Sequence, residues 1–267
     1  EPKTGQMWYN STDGKLRGLG IIEGWSSGAP LITARYNTGG AGTQTANLVF
    51  GGSPPVTDKN EEYNGSGWST GGALGTPRSG NGGAGTQTAG LSSGGLASDA
   101  ATYVGNTEEY DGTSWSEQND LSTYRGYSFT GGIQTAAFIA GGRKGPPYSN
   151  INDTEEYNGS SWTSGGALGS GGYSSASSGP LTAGWAAGGN PTPGSSGVLQ
   201  LIQFYDGSSW TNGPNAPAAF TNATGSGTQT LCLSYGMQPP SSSPVATTTF
   251  VYDGSSFSVS PATLGTG

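Results

Sequence analysis

Residues 61–68 read EEYNGSGW. The same eight letters return as EEYDGTSW at 108–115 and EEYNGSSW at 155–162, then in worn form as QFYDGSSW at 203–210 and FVYDGSSF at 250–257. Taken as a ruler, Tyr63, Tyr110, Tyr157, Tyr205 and Tyr252 stand 47, 47, 48 and 47 residues apart. The closing aromatic keeps step as Trp68, Trp115, Trp162, Trp210 and Phe257, and Trp25 lies 43 residues ahead of Trp68. Self-similarity at such a period marks one supersecondary unit stacked on copies of itself, because a lone unit cannot bury its own apolar face.

Each unit parses into four short strands. Residues 35–52, RYNTGGAGTQTANLVFGG, hold the first two: small residues, a GTQT turn, then an alternating run through Ala46, Leu48 and Phe50 that ends at Gly-Gly. Units two and three repeat this as RSGNGGAGTQTAGLSSGG and RGYSFTGGIQTAAFIAGG. Alternation puts one set of side chains on a buried face. The eight-letter motif supplies strands three and four, with Asn-Gly or Asp-Gly offering the positive φ angles of a tight hairpin. Its Tyr and Trp stand on the two arms, where they are expected to pack between neighbouring sheets. Four-stranded units repeated about an axis make a β-propeller. The fold class is therefore all-β, with five complete repeats of about 47 residues running from Arg35 to about Val259 within 25–267. Residues 1–24 are expected to complete or cap the ring as a partial N-terminal blade. Five or six blades both fit, six being favoured because ATLGTG at the C-terminal end matches the GALGTPR that leads into Arg78.

Composition narrows the chemistry. With 9 basic against 17 acidic residues the net charge is −8, and no basic stripe is present to neutralise phosphates. Nucleic acid and anionic membrane surfaces are thereby disfavoured, and no apolar run is long enough for membrane insertion. Cys232 stands alone in TLCLS, which excludes an internal disulfide and reads as a buried, inert thiol. The 267 residues include no histidine, so the commonest general base is missing. The Glu pairs 61/62, 108/109 and 155/156 cannot act as paired catalytic acids, since neighbours on a strand point to opposite faces. They occur in the units that carry Arg35, Arg78 and Arg125, and both charges vanish together in units four and five, where Gly172 and Phe220 replace the Arg. Each Arg is expected to pair with a Glu of its own or the adjoining blade. Asp111 and Asp253 sit where turn chemistry accounts for them, so neither a metal nor a cofactor is expected. The units differ most between Gly-Gly and the tyrosine motif, and such loops on a rigid ring are where partners bind. Tyr103, Arg143, Lys144 and Tyr148 are the most contact-capable residues there.

The layout of an Arg, a Gly-Gly after the second strand, then Tyr and Trp on the outer pair resembles the Kelch repeat. The combination TEEY(D/N)GxSW, GGALGT, GAGTQTA and Gly-Gly is similar to the Gly-rich repeats of structural proteins of tailed phages infecting marine bacteria. GQMWYNSTDGKL also resembles a hairpin that precedes distal domains of phage fibre and appendage proteins. That resemblance implies a non-enzymatic structural protein on the virion exterior: an exposed module of a tail fibre, appendage or capsid decoration. Its partners would be host surface glycans or other virion proteins, and the fibre analogy implies a homo-oligomer. A carbohydrate-binding, lectin-like propeller not tied to a virion is the alternative. A glycan-cleaving enzyme would need converging acids that the sequence does not offer.

Overall fold

In the computed structural model, residues 25–97, 101–191, 197–238 and 247–264 are described, together with the backbone of 7–10 and 15–18. Strands β1 (Met7–Asn10) and β2 (Lys15–Gly18) form an antiparallel hairpin. Most of the 1–24 segment, expected to complete or cap the ring, lies outside the described residues.

Five four-stranded antiparallel sheets follow. Blade 1 is β3 (Gly39–Gly42), β4 (Asn47–Phe50), β5 (Asn60–Tyr63) and β6 (Trp68–Thr70). Blade 2 is β7 (Gly82–Thr86), β8 (Ala89–Ser93), β9 (Thr107–Tyr110) and β10 (Trp115–Gln118). Blade 3 is β11 (Phe129–Ile133), β12 (Ala136–Ala140), β15 (Thr154–Tyr157) and β16 (Trp162–Gly165). Its long loop folds a small hairpin of its own, β13 (Arg143–Lys144) with β14 (Ser149–Asn150). Blade 4 is β17 (Ala176–Ser178), β18 (Gly184–Ala187), β19 (Ile202–Tyr205) and β20 (Trp210–Asn212), with a 3-10 turn at Leu181–Ala183. Blade 5 is β21 (Thr224–Thr228), β22 (Leu231–Tyr235), β23 (Thr249–Tyr252) and β24 (Phe257–Val259). The innermost strands β3, β7, β11, β17 and β21 pack successively about the axis, giving a five-blade propeller. Small residues line this axis because the sheets converge there. A Cβ added at Gly83, for instance, would meet the backbone of Gly40 at 2.4 Å.

The eight-letter motif is the outer hairpin of each blade, with Tyr63 opposite Trp68 and their rings 5.0 Å apart. The turn differs from the expected one. Only the glycine takes a positive φ (Gly65, +90°), and the preceding Asn or Asp closes a four-residue loop with its side chain. Asn64 Oδ1 accepts the N–H of Ser66 and Gly67, and Asp111 Oδ1 accepts those of Thr113 and Ser114. An acceptor that bridges two N–H groups in this way is the reason the position is always Asn or Asp. The same bonds, led by the Thr113 hydroxyl, hold the Asp111 carboxyl well below its usual range.

Neighbouring blades are joined by three repeated contacts. The tyrosine hydroxyl donates to the second Glu of the preceding blade, as Tyr110 to Glu62, Tyr157 to Glu109 (2.9 Å) and Tyr205 to Glu156. Burial, followed by that hydrogen bond, raises these phenols far above their ordinary range. Gln87, Gln134 and Gln229, from the inner turns, each donate to two backbone carbonyls of the blade before. Trp162 and Trp210 donate from Nε1 to Thr107 and Thr154 of the preceding blade at 2.8 and 2.9 Å. The tyrosines of blades 2–5 are buried as expected, whereas the motif tryptophans are only half-buried and lie across blade edges.

Between the two Glu of a pair the strand alternation divides the labour. The first Glu turns to the Arg of its own blade: Arg35 to Glu61, Arg78 to Glu108 at 2.9 Å and Arg125 to Glu155 at 2.8 Å. Burial by itself would raise the Glu61 carboxyl, but hydrogen bonds from Arg35 and from the N–H groups of Ile32 and Thr33 hold it below its usual value. Cys232 is buried in β22, and desolvation pushes its thiol up to about 12, so it stays protonated and unreactive.

Candidate functional site: the loop face

The described parts of the strand-two-to-strand-three loops and the blade-to-blade junctions lie on the same face of the ring. Pairs of these segments are tied by backbone bridges, Tyr36 with Ser53, Ser79 with Leu96, Gly126 with Arg143, Tyr173 with Asn190 and Thr221 with Gln238. One residue beyond each junction, Asn37, Gly80, Tyr127, Ser174 and Asn222 all adopt left-handed φ values between 53° and 62°. That conformation turns each N–H towards the blade before it. Gly80 donates to Asn37 C=O, Tyr127 to Gly80, Ser174 to Tyr127 and Asn222 to Ser174, at 2.6–2.8 Å. This relay of backbone bonds runs round the mouth of the axial channel from blade 1 to blade 5. Tyr127 is a bulky residue in a region suited to glycine, so the relay holds it there against local strain.

The channel has a volume of ≈ 660 Å³ and is lined mainly by glycine, alanine, serine and threonine in and around the inner strands, together with Asn47, Val49, Asn81 and Tyr235. It offers hydroxyls and backbone groups but no charge. Ser175 Oγ, on its wall, is buried with no hydrogen-bond partner in the structure.

Over the blade 2–4 side of the mouth stands an aromatic cluster around one cation. The Arg143 guanidinium lies 4.8 Å from the Tyr148 ring centroid and 5.7 Å from that of Tyr173. Tyr148 in turn meets Tyr103 edge-on, at 6.2 Å and 71°. Tyr103 forms the buried base of this group at 5% exposure, while Tyr148 is 49% exposed at its top. Burial pushes the Tyr103 phenol up to about 12, with Arg143 opposing the shift, and burial likewise raises Tyr127. The Tyr103 and Tyr127 phenols therefore remain neutral donors, and the guanidinium over the tyrosine faces is stabilised by the ring quadrupoles.

Three of the four residues expected at this surface, Tyr103, Arg143 and Tyr148, are thus brought together. Lys144 belongs to the same hairpin, but as a strand neighbour of Arg143 it points the other way and is exposed. Sequence reasoning missed Tyr36, Tyr127 and Tyr173 at the junctions. The available signal was position: Tyr36 follows Arg35, Tyr127 comes two after Arg125, and Tyr173 follows Gly172, the unit-four counterpart of those Arg residues. Tyr36 is 61% exposed on the same face.

The six paired glutamates are committed to Arg or Tyr partners. Among the described residues, no three His, Cys, Asp or Glu side chains are grouped to hold a metal ion. No protein-family model matches the chain, and no curated protein matches it.

Proposed function

We propose that the protein is a non-enzymatic attachment module, exposed on the exterior of a phage particle, whose loop face engages saccharide on the host surface. The observation that carries this reading is the cluster of Arg143, Tyr148 and Tyr103 beside the half-buried Tyr173. Tyrosine rings offer flat apolar faces for the C–H side of a sugar, and their hydroxyls, with the guanidinium, offer hydrogen bonds to its polar edge. The virion assignment is supported by the Kelch-like and phage-like repeat style of TEEY(D/N)GxSW, GGALGT and GAGTQTA, and by the GQMWYNSTDGKL stretch. A chain dense in tight turns, with one buried thiol and few charges, suits a durable exterior module.

Density-banded virions analysed by mass spectrometry before and after surface proteolysis test the assignment. The account expects peptides of this chain at a fixed stoichiometry, with loop-face peptides such as 143–154 cut first. Absence from particles would remove the virion role and leave a free carbohydrate-binding propeller.

A further inference from the structure

The ring has four equivalent blade–blade junctions and one interval that is different. We infer that the interval between blade 5 and blade 1 is a docking site for a sixth, three-stranded blade segment, supplied by a polypeptide with the same repeat grammar. This goes beyond the attachment role and does not depend on it.

Both walls of the interval are faces that elsewhere are covered. On blade 1, Gln44 is exposed and makes no hydrogen bond among the described residues, whereas Gln87, Gln134 and Gln229 each clasp two carbonyls. Tyr63 is half-buried and, among the described residues, has no carboxylate partner of the kind that Tyr110, Tyr157 and Tyr205 have. Val49 is half-exposed, while Ser92, Ile139, Ala186 and Ser234 at its position are buried. On blade 5, Leu233 is half-exposed, although Leu48, Leu91, Phe138 and Trp185 at the same position are all within 1% of complete burial. The inner strands β3 and β21 do not pack on each other as the other successive inner strands do. The backbone relay also stops here, with the Asn37 N–H and the Asn222 C=O as its two ends.

The interval is one blade wide, because its outer rim is already occupied by one blade's outer segment. Trp25 treats blade 5 as Trp162 and Trp210 treat their preceding blades: Nε1 donates to Thr249 Oγ1 at 3.1 Å, and the ring lies 4.9 Å from Tyr235. Downstream, Ile32 and Thr33 donate to Glu61 just as Gly75 and Thr76 donate to Glu108. Residues 25–34 are therefore to blade 1 what 68–77 are to blade 2. Blade 1's own Trp68 reaches only as far as this segment, to Ala29 C=O at 3.0 Å. Inward of it, the interval requires an inner strand to extend the relay, and a Gln-bearing turn to reach Cys232 and Tyr252 carbonyls. It also requires a third strand whose Glu accepts from Tyr63. Leu264 N–H bonds Thr247 C=O just as Leu74, Leu121 and Leu168 bond Asp58, Gly105 and Asn152.

The probe is the peptide of residues 77–113, which carries all three strands of unit two, tested in trans and also fused after Gly267. Fusion raises the effective concentration and offsets the ordering cost of a free peptide. The expected result, in at least the fused form, is a rise of about 5 °C or more in melting temperature. Amide exchange at Asn37 should slow at least about tenfold as its N–H gains an acceptor. A scrambled peptide should do neither, and Leu233→Asp should abolish the gain while leaving the unfused protein's melting temperature unchanged. No change with either form of the native peptide overturns the proposal. So does a free protein that is a dimer with Asn37 and Leu233 already protected, since a second copy would then be the occupant.

Discussion

Arg78→Ala is expected to destabilise the protein by about 3–5 kcal/mol, the usual penalty for stranding one member of a buried ion pair. Arg78 is fully buried, where it bonds Glu108 at 2.9 Å and the Asn106 carbonyl at 2.8 Å. Burial lowers its pKa while Glu108, Glu117 and Asp120 oppose the shift. Removing the guanidinium leaves the Glu108 carboxylate in the interior with only the Gly75 and Thr76 N–H groups as partners. Blade 5 shows how the same position is filled without charge: Phe220 stands where the Arg would be and packs edge-on against Phe250, which replaces the Glu, at 5.6 Å. The double substitution Arg78→Phe with Glu108→Phe should therefore recover much of the loss. Recovery will stay incomplete because Glu108 also accepts the Gly75 and Thr76 N–H groups of the junction that leads into blade 2. Urea unfolding measures both variants, and an Arg78→Ala loss below about 1 kcal/mol would mean the pair is structurally idle.

Trp185→Ala should cost as much, about 3–5 kcal/mol, and more than the same change at half-buried Trp115. Trp185 is wholly buried in β18, in the cluster of Ile202, Phe220, Cys232, Phe250 and Tyr252 that joins blades 4 and 5. Its ring presses so closely on β21 that a Cβ at Gly225 would come within 2.5 Å of it. Truncation leaves a cavity that this rigid interface cannot close, and it releases the bond from Nε1 to Gly227 C=O. For a chain of this size the loss corresponds to roughly 8–15 °C in melting temperature. An effect at Trp115 equal to or larger than that at Trp185 would contradict the packing described.

The repeat ruler carried most of the fold, since Tyr and Trp at a 47-residue period mark the outer hairpin of every blade. The Arg–Glu pairing was legible for a different reason. Units four and five lose both charges together, and Gln203 in blade 4 and Phe250 in blade 5 show what takes the Glu position. Which Glu of each pair meets the Arg was not legible, because alternation assigns opposite faces without saying which one looks to the next blade. Trp185 escaped notice because it falls outside the motif, at a position held by Leu48, Leu91 and Phe138 in other units. At the loop face, Arg143 and Tyr148 stood out by type. The junction tyrosines did not, since the left-handed turn that aims them is a backbone property shared by Asn, Gly, Tyr and Ser at one position.

The most direct test of the attachment account is binding of the purified protein to an array of bacterial surface saccharides. Wild type would be compared with Arg143→Ala, Tyr148→Ala and, on the exposed outer strand of blade 3, Thr163→Ala. The account predicts saccharide binding by wild type and Thr163→Ala, with at least about tenfold weaker binding by the two loop-face variants at unchanged melting temperature. Equal binding by all four proteins, or none by any, would contradict it.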